Sequence, residues 1–260
     1  MLAHYREHGR ALPWRETHDA YEVLVSEVML QQTQVSRVEP KYAEFLAAFP
    51  DIEALAAAPL AAVLEAWSGL GYNRRAVSLK RLAEVVVAEH GGAVPRDPVV
   101  LATLPGIGKA TASAIVTYAF EALAPFIETN VRAAFLHHFF ADADDVPDRD
   151  VLPIVEATWD RECPREWGYA LMDYGTHLKR TLPNPSRRSR HHTRQSRFEG
   201  SDRQARGAFL RALVREGALT VDGLAEGAGI DPARAERLLG DLEREGFFVR
   251  ESDGLWAVGA

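Results

Sequence analysis

Apolar residues recur at helical spacing along most of the first 180 positions. Between residues 35 and 49, for example, Val38, Tyr42, Phe45 and Phe49 follow one another every three or four residues, which predicts an amphipathic helix. The period-two alternation typical of strands is almost absent before residue 200. We therefore predict an all-α core. Its other helices are expected near 1–16, 22–30, 50–67, 74–90, 98–104, 109–120, 130–138, 151–162 and 166–180.

The pattern changes after residue 182. Residues 183–200 are basic and poor in apolar side chains, which predicts a linker or an ordered basic loop. Further on, three helical stretches precede two short apolar runs that flank Asp253-Gly254, a dipeptide that favours a β-hairpin turn. The pattern over residues 203–260 thus predicts a small winged-helix module of mixed α and β structure. Its helices are expected near 203–216, 221–228 and 232–245.

Composition narrows the class of protein. The chain has 260 residues with 47% hydrophobic and 26% charged side chains, enough for one large domain and a small one. No apolar run could span a bilayer and no signal-peptide pattern opens the chain, so we expect a cytoplasmic protein. Cys163 is the single cysteine, which excludes a disulfide framework and a four-cysteine metal site within this chain.

The net charge of -7 argues weakly against nucleic-acid binding, but a local basic face can attract phosphates on an acidic protein. One candidate lies at Leu104-Pro105-Gly106-Ile107-Gly108-Lys109, which predicts a tight turn between two helices. Backbone N–H groups at the start of the second helix, together with Lys109, form an anion site. From this hairpin alone, phosphate binding and a plain turn between core helices are equally good interpretations.

Two glutamates are candidates for acid or charge chemistry. Glu27 lies on an otherwise apolar helix, where burial would raise its pKa and suit a general acid; an ordinary exposed glutamate is the alternative that the residue alone favours. Glu128 precedes Thr129 and Asn130 in a loop. Its carboxylate could stabilise a cation with the help of Asn130, or the pair could simply cap the next helix.

Polar and basic side chains at helix ends and turns could enter a duplex or contact its phosphates. Surface turn chemistry, a solvated helix face or a solvated linker is the alternative for each of them. The arginines after residue 183 have forked guanidinium groups that match phosphates. The DNA-contact candidates are Gln31, Gln32, Thr33, Tyr72, Arg74, Gly106, Gly108, Lys109, Arg187, Arg188, Arg190 and Arg194.

Five stretches, read together, carry a more specific signal. They are Leu12-Pro13-Trp14-Arg15, the run Ser26-Glu27-Val28-Met29-Leu30-Gln31-Gln32-Thr33-Gln34-Val35, Gly69-Leu70-Gly71-Tyr72, Leu104-Pro105-Gly106-Ile107-Gly108 and Asn130-Val131. In order and spacing, over about residues 5–180, they resemble the helix-hairpin-helix DNA glycosylases, and among them the MutY-type adenine glycosylases.

The resemblance implies a role for each matching position. Glu27 matches the acid that protonates N7 of adenine, and Glu128 stands where the family has a catalytic Asp that stabilises the oxocarbenium-like sugar. Gln32 and Tyr72 match residues that wedge into the duplex while the target base is flipped out. The hairpin matches the phosphate clamp, where family members often hold a Na⁺ or K⁺ ion through backbone carbonyls, here at Leu104 and Ile107.

Four departures qualify the resemblance. Glu128 replaces the catalytic Asp, and a misplacement near 1 Å can cost about 10²-fold in rate. Ala110 occupies the position of the Schiff-base lysine of bifunctional relatives, which predicts little or no AP-lyase activity. Lys179 stands where the first iron–sulfur cysteine would fall, so no cluster is expected and the arginine-rich segment would contact DNA in its place. A winged helix ends the chain where adenine glycosylases often carry a Nudix-like domain.

We therefore expect a monofunctional base-excision-repair glycosylase acting as a monomer on double-stranded DNA at the nucleoid. Its substrate would be a mispaired adenine opposite guanine or 8-oxoguanine. Another base in the same fold, such as thymine or uracil opposite guanine or a deaminated or alkylated purine, remains an alternative. A catalytically weak lesion-binding protein is a further one.

The expected domain organisation follows from the same resemblance. Residues 1–182 form the glycosylase core, 183–202 replace the iron–sulfur loop, and 203–260 form the winged-helix module. Within the core, lobe one would cover about 17–117 and lobe two about 1–16 with 118–182.

Overall fold

The computed structural model of the chain describes residues 1–192 and 197–259. These residues form two compact units, each built from two separate stretches of chain. Unit 1 holds the described residues of Met1–Glu27 and Val94–Arg194, and unit 2 those of Val28–Ala93 and Gln195–Ala260. The predicted lobe boundaries at 17 and 117 enclose a longer stretch than Val28–Ala93, and the division into lobes stays a prediction.

The helices begin and end close to where the apolar pattern predicts. They are α1 (Leu2–His8), α2 (Pro13–Glu16), α3 (Ala20–Leu30), α4 (Val35–Ala48), α5 (Ile52–Ala57), α6 (Leu60–Ala66), α7 (Arg74–His90), α8 (Pro98–Leu101), α9 (Lys109–Phe120), α10 (Thr129–Phe139), α11 (Asp148–Thr158) and α12 (Pro164–Thr181), and then a 3-10 turn (Pro185–Arg188). Among the described helices, none is long and apolar enough to cross a bilayer. The predicted all-α core is confirmed.

The core of unit 1 gathers around α9, α10 and α12. Tyr118, Phe135, Trp159 and Leu171 are buried there in one apolar cluster. Helix α12 approaches the start of α10 closely at Gly175, where an added Cβ would collide with the Asn130 backbone. The absence of a side chain at this position therefore lets the two helices meet around the beginning of α10.

The C-terminal part of unit 2 confirms the predicted winged helix. It comprises α13 (Asp202–Glu216), β1 (Ala218–Leu219), α14 (Val221–Ala228), α15 (Pro232–Arg244), β2 (Phe248–Arg250) and β3 (Trp256–Val258). The strands form an antiparallel sheet in the order β1-β3-β2. The two-residue strand β1 was not predicted, because two residues are too few to display an alternation.

The winged-helix module is joined to the earlier part of unit 2 by packing and by charge. Helix α13 packs against α6. Glu245, which follows α15, forms ion pairs with Arg206 of α13 and with Arg74 of α7, the latter at 3.7 Å. A carboxylate of the module therefore lies beside one of the predicted DNA-contact arginines.

Candidate active site

The hairpin joins α8 to α9 through residues 102–108. Gly106 has φ of 78°, a left-handed conformation that favours glycine, whereas Gly108 is the N-cap of α9 with φ of -90°. Leu104 and Ile107 anchor the turn in the core, and Gly106, Gly108 and Lys109 are exposed. A Cβ added at Gly108 would meet no protein atom within 4 Å. The first turn of α9 is thus open to a ligand from outside.

Glu27 lies in the last two turns of α3, between the buried residues Ser26 and Val28. Glu27 keeps some accessible surface, but protein atoms surround its carboxyl group closely and its pKa is raised to about 8. Desolvation is the largest cause, the negative charge of Glu128 acts in the same direction, and the charge of Arg15 opposes them. The carboxyl group therefore carries a proton at neutral pH and can donate it.

Glu128 is the N-cap of α10 and both of its carboxylate oxygens are in use. Oε1 accepts hydrogen bonds from the backbone N–H groups of Asn130 (2.5 Å) and Val131 (2.7 Å). Oε2 accepts from Thr129 Oγ1 (3.0 Å) and Asn130 Nδ2 (3.1 Å). The helix-cap interpretation of this pair is thus realised, and the same bonds hold a carboxylate in one fixed position.

Helix α12 fixes Asn130 from the other side. Thr176 Oγ1 donates to Asn130 Oδ1 at 3.2 Å, and Met172 Sδ lies 3.8 Å from Asn130 Nδ2. Because Asn130 in turn donates to Glu128, these contacts connect α12 with the carboxylate. The close approach at Gly175 is what brings the two helices near enough for them to form.

The Leu12-Pro13-Trp14-Arg15 stretch supplies the cation beside Glu27. The guanidinium of Arg15 donates to both oxygens of Asp173 at 2.8 Å, and Arg10 donates to the same carboxylate through Nε at 2.7 Å. Although burial alone would raise the pKa of Asp173, these hydrogen bonds lower it. Asp173 therefore fixes Arg15 within electrostatic range of Glu27.

Tyr118 belongs to this group, although its sequence position in α9 gave no signal beyond a core residue. Burial raises its pKa, and the charge of Glu27 raises it further. Its ring stacks on Tyr169 with centroids 4.1 Å apart. Its hydroxyl is buried and has no hydrogen-bond partner among the described residues, which leaves a donor near Glu27 for a ligand to meet.

A second group of predicted residues lies in unit 2, at two turns held by Arg75. Gln32 and Tyr72, the predicted wedge residues, both have left-handed backbones, with φ of 54° and 48°. Such conformations cost non-glycine residues about 1–3 kcal/mol each and persist only where the surroundings impose them. Both side chains are exposed.

The guanidinium of Arg75 is the group that connects these turns. It donates to the carbonyls of Val28 and Met29 (both 2.7 Å), to Thr33 Oγ1 (2.9 Å) and to the Gly71 carbonyl (3.0 Å). It also lies 5.7 Å from the centroid of the Tyr72 ring. Arg75 is buried, and its guanidinium is engaged within the protein instead of facing solvent or a phosphate.

The predicted arginine contacts have unequal surroundings. Arg74 and Arg187 are exposed. Arg188 donates to the carbonyls of Leu136 (3.1 Å) and Phe140 (3.3 Å) at the end of α10. Arg190 pairs with Asp145 at 2.6 Å. Arg194 lies outside the described residues.

Residues 184–190 form a strap along unit 1. Ser189 bridges Val146 in parallel fashion, and Ser186 Oγ donates to the Thr129 carbonyl at 3.0 Å, directly beside the Glu128 cap. Iron–sulfur clusters bind cysteine thiolates, and the single cysteine, Cys163, lies outside this segment. The residues present therefore do not fit a cluster. Among the described residues no group of three or more His, Cys, Asp or Glu could hold a metal ion.

A matched pair of substitutions separates the capping role of Glu128 from a chemical one. Asp51 caps α5 in the same way, accepting from the Ala54 N–H at 2.7 Å. Glu128→Ala and Asp51→Ala are each expected to lower the free energy of unfolding by about 1 kcal/mol, measured by urea denaturation. Only Glu128→Ala is expected to slow the base excision that the sequence resemblance implies, and equal excision rates for the two variants would reduce Glu128 to a cap.

Comparison with known proteins gives consistent results. Residues 25–165 match the family model described as HhH-GPD superfamily base excision DNA repair protein. The chain is 36% identical to an adenine DNA glycosylase of Mycolicibacterium smegmatis, over 99% of this chain and 94% of the relative. It is 34% identical to an adenine DNA glycosylase of Mycobacterium tuberculosis, over 99% and 92%.

Solved structures agree on the fold. A thermostable thymine-DNA glycosylase matches with a TM-score of 0.61 and 27% identity, over 67% of this chain and 82% of that one. A non-covalent endonuclease III–DNA complex matches with a TM-score of 0.54 and 20% identity, over 69% and 82%. At that identity the second match supports the fold alone.

Proposed function

Because the chain belongs to the HhH-GPD superfamily of base excision DNA repair proteins, we propose that it is a monofunctional DNA glycosylase that removes adenine mispaired with guanine or 8-oxoguanine. The observation that carries the proposal is the pairing of a protonated Glu27 with the carboxylate of Glu128 in one unit. The names and full-length coverage of the mycobacterial relatives support adenine as the base.

In the proposed reaction Glu27 is the acid. It donates its proton to N7 of the flipped adenine, so that the base leaves the sugar as a neutral molecule. Proton donation of this kind is typically worth about 10²–10⁴-fold in rate. The unpartnered hydroxyl of Tyr118 is a further donor near the same carboxyl group.

Glu128 then stabilises the positive charge that develops on the sugar. Each of its oxygens already accepts two hydrogen bonds, so the carboxylate acts through its fixed negative charge rather than by moving to form a bond. A preorganised charge of this kind costs no reorganisation when the transition state forms. Asn130 is the positioning residue, since it connects the carboxylate to α12.

DNA is held by the hairpin and by the turns around Arg75. The open N-terminus of α9, with exposed Gly106, Gly108 and Lys109, supports binding of a backbone phosphate. The exposed side chains of Gln32 and Tyr72 support insertion into the duplex. The cation at the hairpin, the monomeric state and the cytoplasmic location stay predictions from the sequence.

Single-turnover assays on five duplexes test the proposed substrate. Adenine is expected to be released opposite 8-oxoguanine and guanine, whereas T·G, U·G and hypoxanthine duplexes are expected to remain intact. The likeness to a thymine-DNA glycosylase structure favours thymine opposite guanine as the second candidate. Release from T·G alone would establish that candidate, and an absence of abasic product from all five would refute glycosylase activity.

We also propose that the enzyme leaves the DNA strand intact. Ala110 is exposed in the first turn of α9 and offers no amine for a Schiff base. Borohydride is therefore expected to trap little wild-type protein on abasic DNA. Ala110→Lys is expected to increase trapping and strand cleavage, whereas the control Ala102→Lys, at the C-cap of α8, is not.

A further inference from the structure

Lys179 differs from Lys41 and Lys80, two other lysines on helices, in lacking a partner. Lys41 pairs with Glu44 at 2.6 Å, and the buried Lys80 donates to the Ala56 carbonyl at 2.7 Å. Lys179 is partly buried in the last turn of α12. Among the described residues its ammonium group forms neither a hydrogen bond nor an ion pair.

Helix geometry directs this side chain toward the start of α10. Residues three and four apart lie on one helix face, so Lys179 follows Met172 and Thr176 along α12. Both of those residues contact Asn130. Lys179 is therefore the next side chain on the face that positions the Glu128 cap.

The electrostatics of Lys179 agree with that placement. Burial lowers the pKa of its ammonium group and Arg10 lowers it further, while the negative charge of Glu128 raises it. The two groups do not form an ion pair, because both oxygens of Glu128 are occupied by other donors. A partly desolvated cation thus stands beside the carboxylate with its hydrogen-bonding capacity unused.

We propose that the Lys179 ammonium group binds a DNA phosphodiester adjacent to the nucleotide whose base is excised. The proposal rests on the proposed function, because it takes Glu128 as the group that serves the sugar. Phosphates flank every sugar, so a cation beside this carboxylate is within reach of one. Lysine contacts a phosphate as a point charge, and such contacts position the duplex without reading its sequence.

Phosphate binding also removes an electrostatic conflict. An unpaired cation beside Glu128 would oppose the positive charge that develops on the sugar. Once the ammonium group is paired with a phosphate, its charge is neutralised and the field of the carboxylate at the sugar is restored. Lys179 is therefore a positioning residue that both places the nucleotide and protects the stabilising charge.

A binding cycle with modified DNA tests the proposal. The duplexes carry A·8-oxoguanine with either natural phosphates or a neutral methylphosphonate at the phosphate 5′ or 3′ of the adenosine. The proteins are the wild type, Lys179→Ala, Lys179→Arg and the control Lys41→Ala. Affinity is measured by fluorescence anisotropy at several salt concentrations, and folding by thermal denaturation.

On natural DNA, Lys179→Ala is expected to bind more weakly and to reduce the slope of log K against log salt by about 0.9, the value for one phosphate. Lys179→Arg is expected to retain most of the affinity, and Lys41→Ala all of it. On one of the methylphosphonate duplexes, the wild type and Lys179→Ala are expected to bind equally.

An equal loss for Lys179→Ala on all three duplexes, or an unchanged salt slope in a folded variant, would overturn the proposal. Neither result bears on glycosylase activity. That activity is read separately, as release of adenine from the natural duplex by the wild type. The two ideas can therefore fail independently.

Discussion

Replacement of Glu27 by glutamine is expected to slow base excision by about 10²- to 10⁴-fold and to leave duplex binding intact. Glutamine keeps the size and the hydrogen-bonding capacity of the protonated side chain, but it has no acidic proton to give to the base. Excision is measured under single-turnover conditions with enzyme in excess, and binding by fluorescence anisotropy. A variant that excises normally would remove Glu27 from the mechanism.

The pH profile of the wild type tests the same carboxyl group. The pKa of Glu27 is raised to about 8, and a proton donor works only while it is protonated. The single-turnover rate constant is therefore expected to be level up to pH 7 and to fall by about tenfold per unit well above pH 8. A rate constant that rises between pH 7 and 9 would instead identify Glu27 as a base.

Protein stability provides the control for both experiments. The pKa of Glu27 in the folded chain lies above the ordinary value of 4.5. Its contribution to stability is therefore fully present below pH 4.5 and is lost as the pH rises through about 8. Glu27→Gln removes this dependence, so the variant is expected to melt at a higher temperature than the wild type at pH 9, with a smaller difference at pH 5.

Replacement of Arg75 by lysine is expected to have the second large effect, on excision from fully stacked duplex DNA. One ammonium group cannot reach the four oxygens that the guanidinium contacts or lie flat beside Tyr72. The turns that hold Gln32 and Tyr72 in left-handed conformations would relax. Misplacement of a side chain by about 1 Å can lower the rate by about 10²-fold. The loss is measured as the change in the single-turnover rate constant on A·8-oxoguanine duplexes.

The substrate distinguishes a wedging defect from a general loss of structure. Excision of adenine from single-stranded DNA, where no duplex has to be opened, is expected to be slow in the wild type and to change little in Arg75→Lys. Lys80→Ala is the matched control, because it removes another buried cation from the same helix α7 but from contacts with Ala56 and Glu84. If both variants lose the same fraction of activity on both substrates, Arg75 contributes to stability alone.

The sequence predicted the helices well because their apolar positions follow a regular period. The hairpin and the winged helix could also be predicted from the sequence, since glycines and an Asp-Gly dipeptide have strong local preferences for turns. The residues that the arginines contact could not be predicted from the sequence. Arg75, Arg188 and Arg190 are buried or paired through residues far away in the chain, and periodicity carries no information on such distant contacts.

The candidate site was predicted in part. The motif that contains Glu27 predicted a proton donor at this position, but only the structure indicates why its proton is retained, through desolvation and the charge of Glu128. Glu128 was correctly weighed as a helix cap. Tyr118 was missed because a tyrosine at a buried helical position looks like any core residue until its hydroxyl is found without a partner.

Because unit 2 is built from two stretches that lie far apart in the sequence, it cannot fold in the order in which it is translated. Helices α4 to α7 are translated long before α13, and the whole of unit 1's second stretch is made between them. Helix α6 therefore leaves the ribosome without the neighbour α13 that packs against it. Contacts so far apart in sequence are slow to form. Unit 2 is thus expected to complete its fold only after α13 has left the ribosome, and until then its apolar faces need protection from aggregation.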